Sequence, residues 1–370
     1  MDQPAIATFR AEIDDRQAAV ARLLETAKAE QLLLMDPANK TWFVGNQICR
    51  GMLDPQDEAC LIITPSQRWL ICSNTDSQRI FDAYLDRLGF QLKEWPWHIG
   101  REQLLADLCQ NRTIASDRLL RDTISVANEL RALRLALSPS MQSSVIHLGR
   151  DLAHSLEATC RNIERSSTEV EIAGHLGHRL LRRGIEPVAI QVAADRRWAI
   201  DPRPSPTAQK IDKCCAVSAT VRRGGVHATA ARIVSFGPPA NEVRADIDTV
   251  GPIASARVAH LRTGATIRDV FEGGQVVATA LNAEEAWRAE PFAWQTGIQP
   301  VEVNPGPLSG QILEPGHAVV LQTRIGGIIH LETFLLRTDR VDWATRPEEW
   351  PIRRYRVGEQ SIELADILVR

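Results

Sequence analysis

Two side chains near the end of the chain have the types and the spacing for acid–base chemistry. His330 and Glu332 are two residues apart in a predicted strand, so both are expected on one face. His227 lies two residues before Thr229 in an earlier predicted strand, which carries Arg232 near its end. A histidine, a glutamate and an arginine around one cavity could transfer protons or bind an anion. Two histidines and one carboxylate are also a known iron or zinc ligand set.

A purely structural alternative exists for each of these side chains. Buried polar residues are normally satisfied by one another, so His330, Glu332 and His227 could form a hydrogen-bonded network without chemistry. Arg232 is expected to pair with a nearby carboxylate. Sequence alone does not decide whether these residues converge.

Helical and strand patterns over the second half of the chain would hold these residues. Ser140 is a suitable N-cap for one helix, and Thr168 with Glu171 forms a capping box for the next, which Gly184 would end. Further helices are predicted at 240–261 and 266–280, and strands at 187–194, 214–221, 226–236, 298–303, 317–324 and 328–337. Pro252 should kink or split the helix at 240–261.

The first half of the chain alternates strands with helices. Strands are predicted at 32–35, 41–44, 60–64 and 69–72, and the turn residues at 64–67 make the last two a hairpin. Helices are predicted at 9–29, 77–89, 101–110 and 122–136. The Ser and Pro residues after Leu137 indicate a boundary. The prediction is therefore an α/β domain over 1–137 and an α+β domain over 138–370.

The composition argues against nucleic-acid-binding, membrane-spanning and disulfide-bonded proteins. The 370 residues are 44% hydrophobic and carry a net charge of −3, which gives no global basic field for nucleic acid. The sequence has no apolar run of membrane-spanning length and no signal-peptide pattern near residue 1, so a cytoplasmic protein is expected. None of the seven cysteines forms a C-x-x-C pair, which favours reduced thiols; Cys214 and Cys215, as neighbours on one strand, should point to opposite faces.

Several short segments along the chain carry a family resemblance. They are 36–39 with 42–45 ("N…W..G"), 168–172 ("tE.Ei"), 229–232 ("D-x-T-R"), 313–316 ("l.pG") and 330–332 ("r-x-E"). In order and spacing the chain resembles the creatinase/aminopeptidase superfamily of Xaa-Pro peptidases, methionine aminopeptidases and creatinase. The resemblance implies an α+β pita-bread C-terminal domain, a smaller creatinase-like α/β N-terminal domain, and a homodimer.

The peptidases of that superfamily bind two divalent metals with two Asp, one His and two Glu. Carried over, the two Asp fall on Ser218 and Thr229, and the first Glu falls on Gln322. The His should lie within 290–302, but no His occurs between His260 and His317. Only the last Glu survives, as Glu332. Neutral side chains bind such ions far more weakly than carboxylates do, so loss of both metals is predicted.

Creatinase, a metal-free relative, implies a different acid–base residue. Its histidine corresponds to Arg203, which stays protonated and makes a poor general base. The candidate pocket residues are therefore Arg203, Ser218, Thr229, Arg232, Trp294, Glu302 and Gln322. The candidate catalytic residues are His330, Glu332 and His227, with no metal ligand and no cofactor.

Three functions follow as alternatives. The first is a non-catalytic protein that binds a small molecule or a peptide, with no role for nucleic acid or membrane. The second is a metal-independent hydrolase of a small C–N bond that uses His330, Glu332 or His227. The third is an Xaa-Pro peptidase dependent on Mn²⁺ or Co²⁺, which requires that the ligand positions above are misassigned. Chelation, mutation and metal counting distinguish the three.

Overall fold

The chain divides into two compact units. The computed structural model describes residues 3–45, 59–289 and 291–370, and the units cover 1–134 and 135–370. The division therefore falls three residues before the boundary predicted after residue 137. Cys49 lies outside the described residues.

The N-terminal unit is built on one six-stranded sheet. Its strands are β1 (Gln31–Leu34), β2 (Cys60–Ile63), β3 (Arg68–Ser73), β4 (Gln91–Trp95), β5 (Ile114–Ser116) and β6 (Thr123–Ser125). The order is β4-β3-β2-β1-β5-β6, with β2 antiparallel to β1 and β3, so the predicted β2–β3 hairpin is confirmed. The helices are α1 (Gln3–Ala27), α2 (Pro37–Val44), a π-helix (Gln78–Leu85), a 3₁₀ turn (Asp86–Leu88), α3 (Glu102–Cys109) and α4 (Ala127–Leu135).

Helix α2 corrects a prediction, because residues 41–44 are helical rather than extended. Asp36 caps this helix by accepting hydrogen bonds from Ala38 N at 2.8 Å and Asn39 N at 3.4 Å, and Pro37 opens its first turn. A capping residue followed by proline is a helix start signal that outweighs the strand-like composition of 41–44. The predicted helix at 122–136 is likewise strand β6 followed by α4.

The C-terminal unit combines two four-stranded sheets and a hairpin. The strands are β7 (Glu186–Ala194), β8 (Cys214–Arg223), β9 (Val226–Ser235), β10 (Ala293–Thr296), β11 (Ala318–Ile325), β12 (Ile328–Leu336), β13 (Val341–Trp343), β14 (Ile352–Val357), β15 (Gln360–Ala365) and β16 (Leu368–Val369). The first sheet has the order β16-β9-β8-β7, the second β10-β11-β12-β13, and β14 pairs with β15. The helices are α5 (Pro139–Arg161), α6 (Glu169–Leu181), α7 (Asn241–His260) and α8 (Ile267–Ala280).

Most helix and strand predictions here are confirmed, and three details are wrong. Helix α5 takes Ser138 rather than Ser140 as its N-cap, because Pro139 then occupies the first helical position. Helix α7 continues through Pro252, so the split is wrong, and a kink at this proline stays a prediction. The strand predicted at 298–303 is replaced by β10, which pairs with β11. The capping box of Thr168 and Glu171 is present as predicted.

The two sheets are joined by hydrogen bonds between β9 and β12. Thr229 N donates to Thr333 Oγ1 at 2.8 Å, and Thr333 Oγ1 donates to Thr229 O at 2.8 Å. This reciprocal contact fixes the two strands against each other at the level of the predicted site.

Burial in the C-terminal unit explains the apolar runs in its strands. Strands β8, β9, β11 and β12 are buried along most of their length. Cys214 and Cys215 are therefore both buried, on the two faces of β8, and all described cysteines are free thiols. In the described part of the chain, no helix has the length and apolar content to cross a membrane.

Candidate functional site

A cavity of about 320 Å³ lies in the C-terminal unit and is lined by strands of both sheets. Five residues predicted for the pocket line it: Arg203, Ser218, Thr229, Trp294 and Gln322. They come from the segment after β7 and from β8, β9, β10 and β11 in turn. The volume is in the range of small-molecule sites.

The polar groups of the cavity wall are neutral and bonded to one another. Ser218 Oγ donates to Gln191 Oε1 at 3.1 Å, and the hydroxyl oxygens of Thr220 and Thr229 are 3.0 Å apart. Gln322 Nε2 donates to a backbone oxygen at 3.2 Å. Arg203 is the one ionisable residue among the described residues that line the wall, which include no histidine, aspartate or glutamate.

Leu331, and not Glu332, lies on the cavity side of β12. In the β11–β12 pair, Gln322 is directly opposite Leu331, whereas Glu332 is opposite Leu321. Cross-strand partners share a face, and neighbours along a strand face opposite sides. The expectation that Glu332 points into the former metal pocket is therefore wrong. The two-residue turn between Ile325 and Ile328 fixes this register and is the sequence signal that could have shown it.

Glu332 instead belongs to a buried ion pair with Arg232. Arg232 Nη1 lies 2.6 Å from Glu332 Oε1, and both side chains are 0% exposed. Glu332 Oε2 accepts hydrogen bonds from Thr345 Oγ1 at 2.5 Å and Trp343 Nε1 at 3.1 Å. Arg232 Nη2 also donates to Thr345 O at 2.9 Å, and its Nε is 3.7 Å from Glu157 Oε1. Both carboxylate oxygens are thus occupied, and Arg232 pairs with carboxylates as expected.

Neither of the two candidate histidines lines the cavity, and the two contact different residues. His330, with Arg232 and Glu332, lines a separate space of only about 40 Å³, and its Nε2 has no hydrogen-bond partner among the described residues. His227 Nδ1 lies 3.1 Å from Gly297 O, and its backbone N donates to the same oxygen at 2.8 Å. The structure therefore brings His330 and Glu332 together, away from the cavity, and places His227 elsewhere.

Glu302, another predicted pocket residue, stabilises a turn and does not line the cavity. Its Oε1 accepts a hydrogen bond from Gln299 N at 3.0 Å, and its backbone N donates to Gln295 O at 2.9 Å. The segment 290–302, in which the family's histidine was expected, thus contains β10 and the turn that Glu302 closes. Of that segment, Trp294 reaches the cavity, together with Pro291 and Val301.

Comparison with known proteins identifies the architecture. No family model and no curated protein sequence matches the chain. The prolidase from Pyrococcus horikoshii OT3 superposes with a TM-score of 0.79 at 11% identity, over 90% of this chain and 99% of that one. The Xaa-Pro dipeptidase from Bacillus anthracis gives 0.76 at 15% identity, over 98% and 100%. The N-terminal domain of FACT complex subunit SPT16 from Cicer arietinum gives 0.72 at 11% identity, over 93% and 97%.

The chain has the pita-bread fold. The predicted architecture, a pita-bread unit preceded by a smaller α/β unit, is confirmed. At these identities the likeness establishes the fold, and the function has to be argued from the residues of the site.

The pita-bread cavity does not fit the two divalent metals that the family resemblance implies. The positions expected to carry ligands hold Ser218, Thr229 and Gln322, and Leu331 stands where the last glutamate was expected. Among the described residues, no three His, Cys, Asp or Glu side chains stand close enough to hold a metal ion. Hydroxyl, amide and aliphatic groups do not replace the carboxylates that such ions require.

Glu169 organises the segment that carries the rim of the cavity, a role that the sequence did not indicate. Its carboxylate accepts from Arg197 Nε at 2.9 Å and Nη2 at 2.8 Å, from Thr207 N at 2.8 Å and Oγ1 at 2.6 Å, and from Ala194 N at 2.8 Å. Burial alone would raise the pKa of Glu169, but these hydrogen bonds lower it overall. The contacts tie together the two ends of 194–207, the segment that includes Arg203.

Replacing Glu169 with glutamine should loosen this segment. The variant loses a charge-assisted pair with Arg197, which corresponds to about 1.5–3 kcal/mol in unfolding free energy. We expect faster amide hydrogen exchange across 194–207 with unchanged exchange in β11 and β12. Glu164→Gln, an exposed glutamate in the preceding segment, is the matched control. Unchanged protection of 194–207 in Glu169→Gln would contradict the assignment.

The buried histidines should make the fold acid-sensitive. Burial, with Arg232 and Arg257 nearby, lowers the pKa of His330 to about 3, and burial lowers the pKa of His227 to about 4. The unfolded chain, with histidine pKa values near 6.5, therefore binds protons that the folded chain does not. This contribution to stability is complete above about pH 6.5 and is lost as the pH falls toward those lower values.

The variant His330→Asn should lessen that sensitivity. Between pH 6.5 and 4.5 we expect its unfolding free energy to fall by about 2–3 kcal/mol less than that of the unmodified protein, because one titrating group is gone. Urea unfolding at the two pH values measures this. His175→Asn, on the exposed side of α6, should leave the pH dependence unchanged. Identical pH slopes for His330→Asn and the unmodified protein would refute the prediction.

Proposed function

We propose that this pita-bread protein is a non-catalytic binding protein that holds a small molecule or a peptide segment in the cavity. The observation that carries the proposal is the wall itself, which has Ser218, Thr229 and Gln322 at positions implied for metal ligands and Leu331 in place of the implied Glu332. The described residues of the wall keep a ligand-sized volume and a hydrogen-bonded polar floor and include no carboxylate or imidazole.

The described residues of the wall include no histidine or carboxylate that could act as a base, which argues against the hydrolase alternative. The position of creatinase's histidine holds Arg203, whose guanidinium is a hydrogen-bond donor and a poor general base. His227, His330 and Glu332 are occupied or buried elsewhere, as described above. The metal-dependent peptidase alternative requires ligands that this wall does not offer.

Metal counting tests the proposal directly. Tag-free protein is loaded with Mn²⁺ and, separately, with Co²⁺, desalted, and analysed for ions per chain by mass spectrometry. We expect a value near zero for both ions, because neutral groups release hard cations readily. Close to two ions per chain would restore the peptidase alternative, and one per chain would indicate a mononuclear site.

Ligand binding is the second test. A compound screen monitored by thermal unfolding should find molecules that raise the melting temperature without being turned over, since a ligand that binds only the folded state stabilises it. Leu331→Trp should abolish such shifts by filling the cavity, whereas Leu181→Trp, at an exposed position of α6, should preserve them. Turnover that survives EDTA would overturn the proposal in favour of the hydrolase.

The proposal includes a homodimer, as the sequence resemblance implies, and a location in the cytoplasm. Sedimentation velocity at micromolar concentration tests the assembly, with a mass near twice 41.1 kDa expected. A monomer at that concentration would remove the dimer from the proposal without affecting the cavity.

A further inference from the structure

The rim of the cavity carries a positive charge that no described residue neutralises. Arg203 lines the cavity and is exposed, and its guanidinium makes no hydrogen bond or ion pair with the part of the chain that the structure describes. Its neighbour Asp201 accepts from the backbone N of Arg203 at 3.0 Å, and its other oxygen lies 3.2 Å from Arg197 Nη1. The Arg203 guanidinium therefore retains all of its donors for an external partner.

A second positive charge lies directly behind the cavity wall. Arg257, on α7, is 4% exposed, and its Nη1 donates to Gln322 O at 2.6 Å and Thr323 Oγ1 at 2.8 Å. Its guanidinium lies 5.2 Å from the ring centre of Phe292 and has no carboxylate partner within the described ranges 3–45, 59–289 and 291–370. The side chain of Gln322 lines the cavity, so only this residue separates the Arg257 guanidinium from the cavity.

Within the described lining of the cavity, no negative charge offsets Arg203 at the rim or Arg257 behind the wall. The described residues that line the cavity include no aspartate or glutamate, although the chain as a whole carries a net charge of −3. Charges in a partly enclosed site interact more strongly than in bulk water. The cavity is therefore a locally positive site on a slightly negative protein.

The remaining wall is largely apolar. Trp198, Trp294, Val301 and Leu331 contribute apolar surface. The indole Nε1 atoms of Trp198 and Trp294 have almost no accessible surface, so these two rings meet a ligand through their apolar parts.

We infer that the cavity takes a small organic anion, a compact aliphatic or aromatic body with one carboxylate and no ammonium group. This inference rests on the proposed binding function and adds the chemical class of the ligand. The carboxylate pairs with the Arg203 guanidinium, which is suited to bidentate contact, and the apolar body lies against Trp294 and Leu331. The volume of about 320 Å³ corresponds to roughly ten water molecules at ~30 Å³ each.

The same wall disfavours zwitterions. An ammonium group enclosed here would meet the positive charge of Arg203, with that of Arg257 behind the wall, and no carboxylate among the described lining residues to pair with. An unpaired enclosed charge is costly. Free amino acids and dipeptides are therefore excluded by charge rather than by size. In its charge, this cavity therefore differs from a site for zwitterionic peptides.

Three probes of one shape test the inference: phenylacetate, the neutral phenylacetamide and the cationic phenethylammonium. Isothermal titration calorimetry with the full chain should show binding of phenylacetate and at least tenfold weaker binding of the other two. Arg203→Gln should weaken phenylacetate binding about tenfold, which is the effect of losing one charge-assisted contact at an accessible site. Arg183→Gln, an exposed arginine that does not line the cavity, is the matched control.

The outcomes separate the class of ligand from the existence of a binding site. Equal affinity for phenylacetate and phenylacetamide, unaffected by Arg203→Gln but lost in Leu331→Trp, would overturn the anion inference and leave the binding function intact. Preferred binding of phenethylammonium would do the same. Failure of all three probes to bind the unmodified protein would overturn the anion inference, and the binding function would then fail if the metal count also reached two per chain.

Discussion

Glu332→Ala is expected to lower the unfolding free energy of the C-terminal unit by about 3–5 kcal/mol, because it leaves the Arg232 guanidinium buried without its closest carboxylate. Both side chains are 0% exposed, and the Arg232 Nη1 to Glu332 Oε1 distance is 2.6 Å. Thr345 Oγ1 and Trp343 Nε1 would lose their acceptor as well. Urea unfolding followed by tryptophan fluorescence measures the effect.

An exposed ion pair in the same unit provides the control. Glu285 and Arg288 pair at the surface, with side chains 63% and 66% exposed, so Glu285→Ala should change stability by less than about 1 kcal/mol. The Glu332→Gln variant keeps the shape of the side chain, so its loss of unfolding free energy should lie between those of Glu332→Ala and Glu285→Ala. If Glu332→Ala instead matched the stability of Glu285→Ala, the buried pair would not be the structural element assigned here.

Four carboxylates placed on the cavity wall should create a site for Mn²⁺. The variant Ser218→Asp, Thr229→Asp, Gln322→Glu, Leu331→Glu supplies hard oxygen ligands from four neighbouring strands of the two sheets. Like charges so close together repel, so the metal-free variant should be less stable than the unmodified protein. At Mn²⁺ one hundred times above its Kd, binding would restore about 2.7 kcal/mol of stability, measured by calorimetry and thermal unfolding.

The matched control for this variant keeps Leu331. The triple variant Ser218→Asp, Thr229→Asp, Gln322→Glu retains Glu332, which lies on the other face of β12. We expect the triple variant to bind Mn²⁺ more weakly than the quadruple one, because Glu332 cannot contribute. Equal affinity for both would show that Glu332 reaches the cavity and that the strand register described here is wrong.

Local sequence signals determined most of the secondary structure and, through spaced motifs, the fold. The capping box at Thr168, the β2–β3 hairpin and the long strands β8, β9, β11 and β12 are confirmed because nearby residues alone specify them. The error at 41–44 shows the limit of composition, since the cap at Asp36 decides the helix there.

The family resemblance also indicated which positions line the cavity on three strands. Ser218, Thr229 and Gln322 were located by carrying over the ligand positions of that family, and the structure places all three on the wall. Glu332 was located in the same way, but its neighbour Leu331 is the residue of β12 that lines the wall. Because side chains alternate along a strand, that single residue moves a carboxylate from the cavity to a buried ion pair on the other face.

Tertiary structure alone decided the electrostatics of the site. No sequence pattern indicates that Arg232 meets Glu332 a hundred residues later, that Glu169 holds both ends of 194–207, or that Arg257 lies behind Gln322. Each is a contact between segments distant in the chain, so it depends on how helices and sheets pack rather than on local preference. The sequence therefore determined the fold, and packing determined which charges lie at the cavity and which are paired away from it.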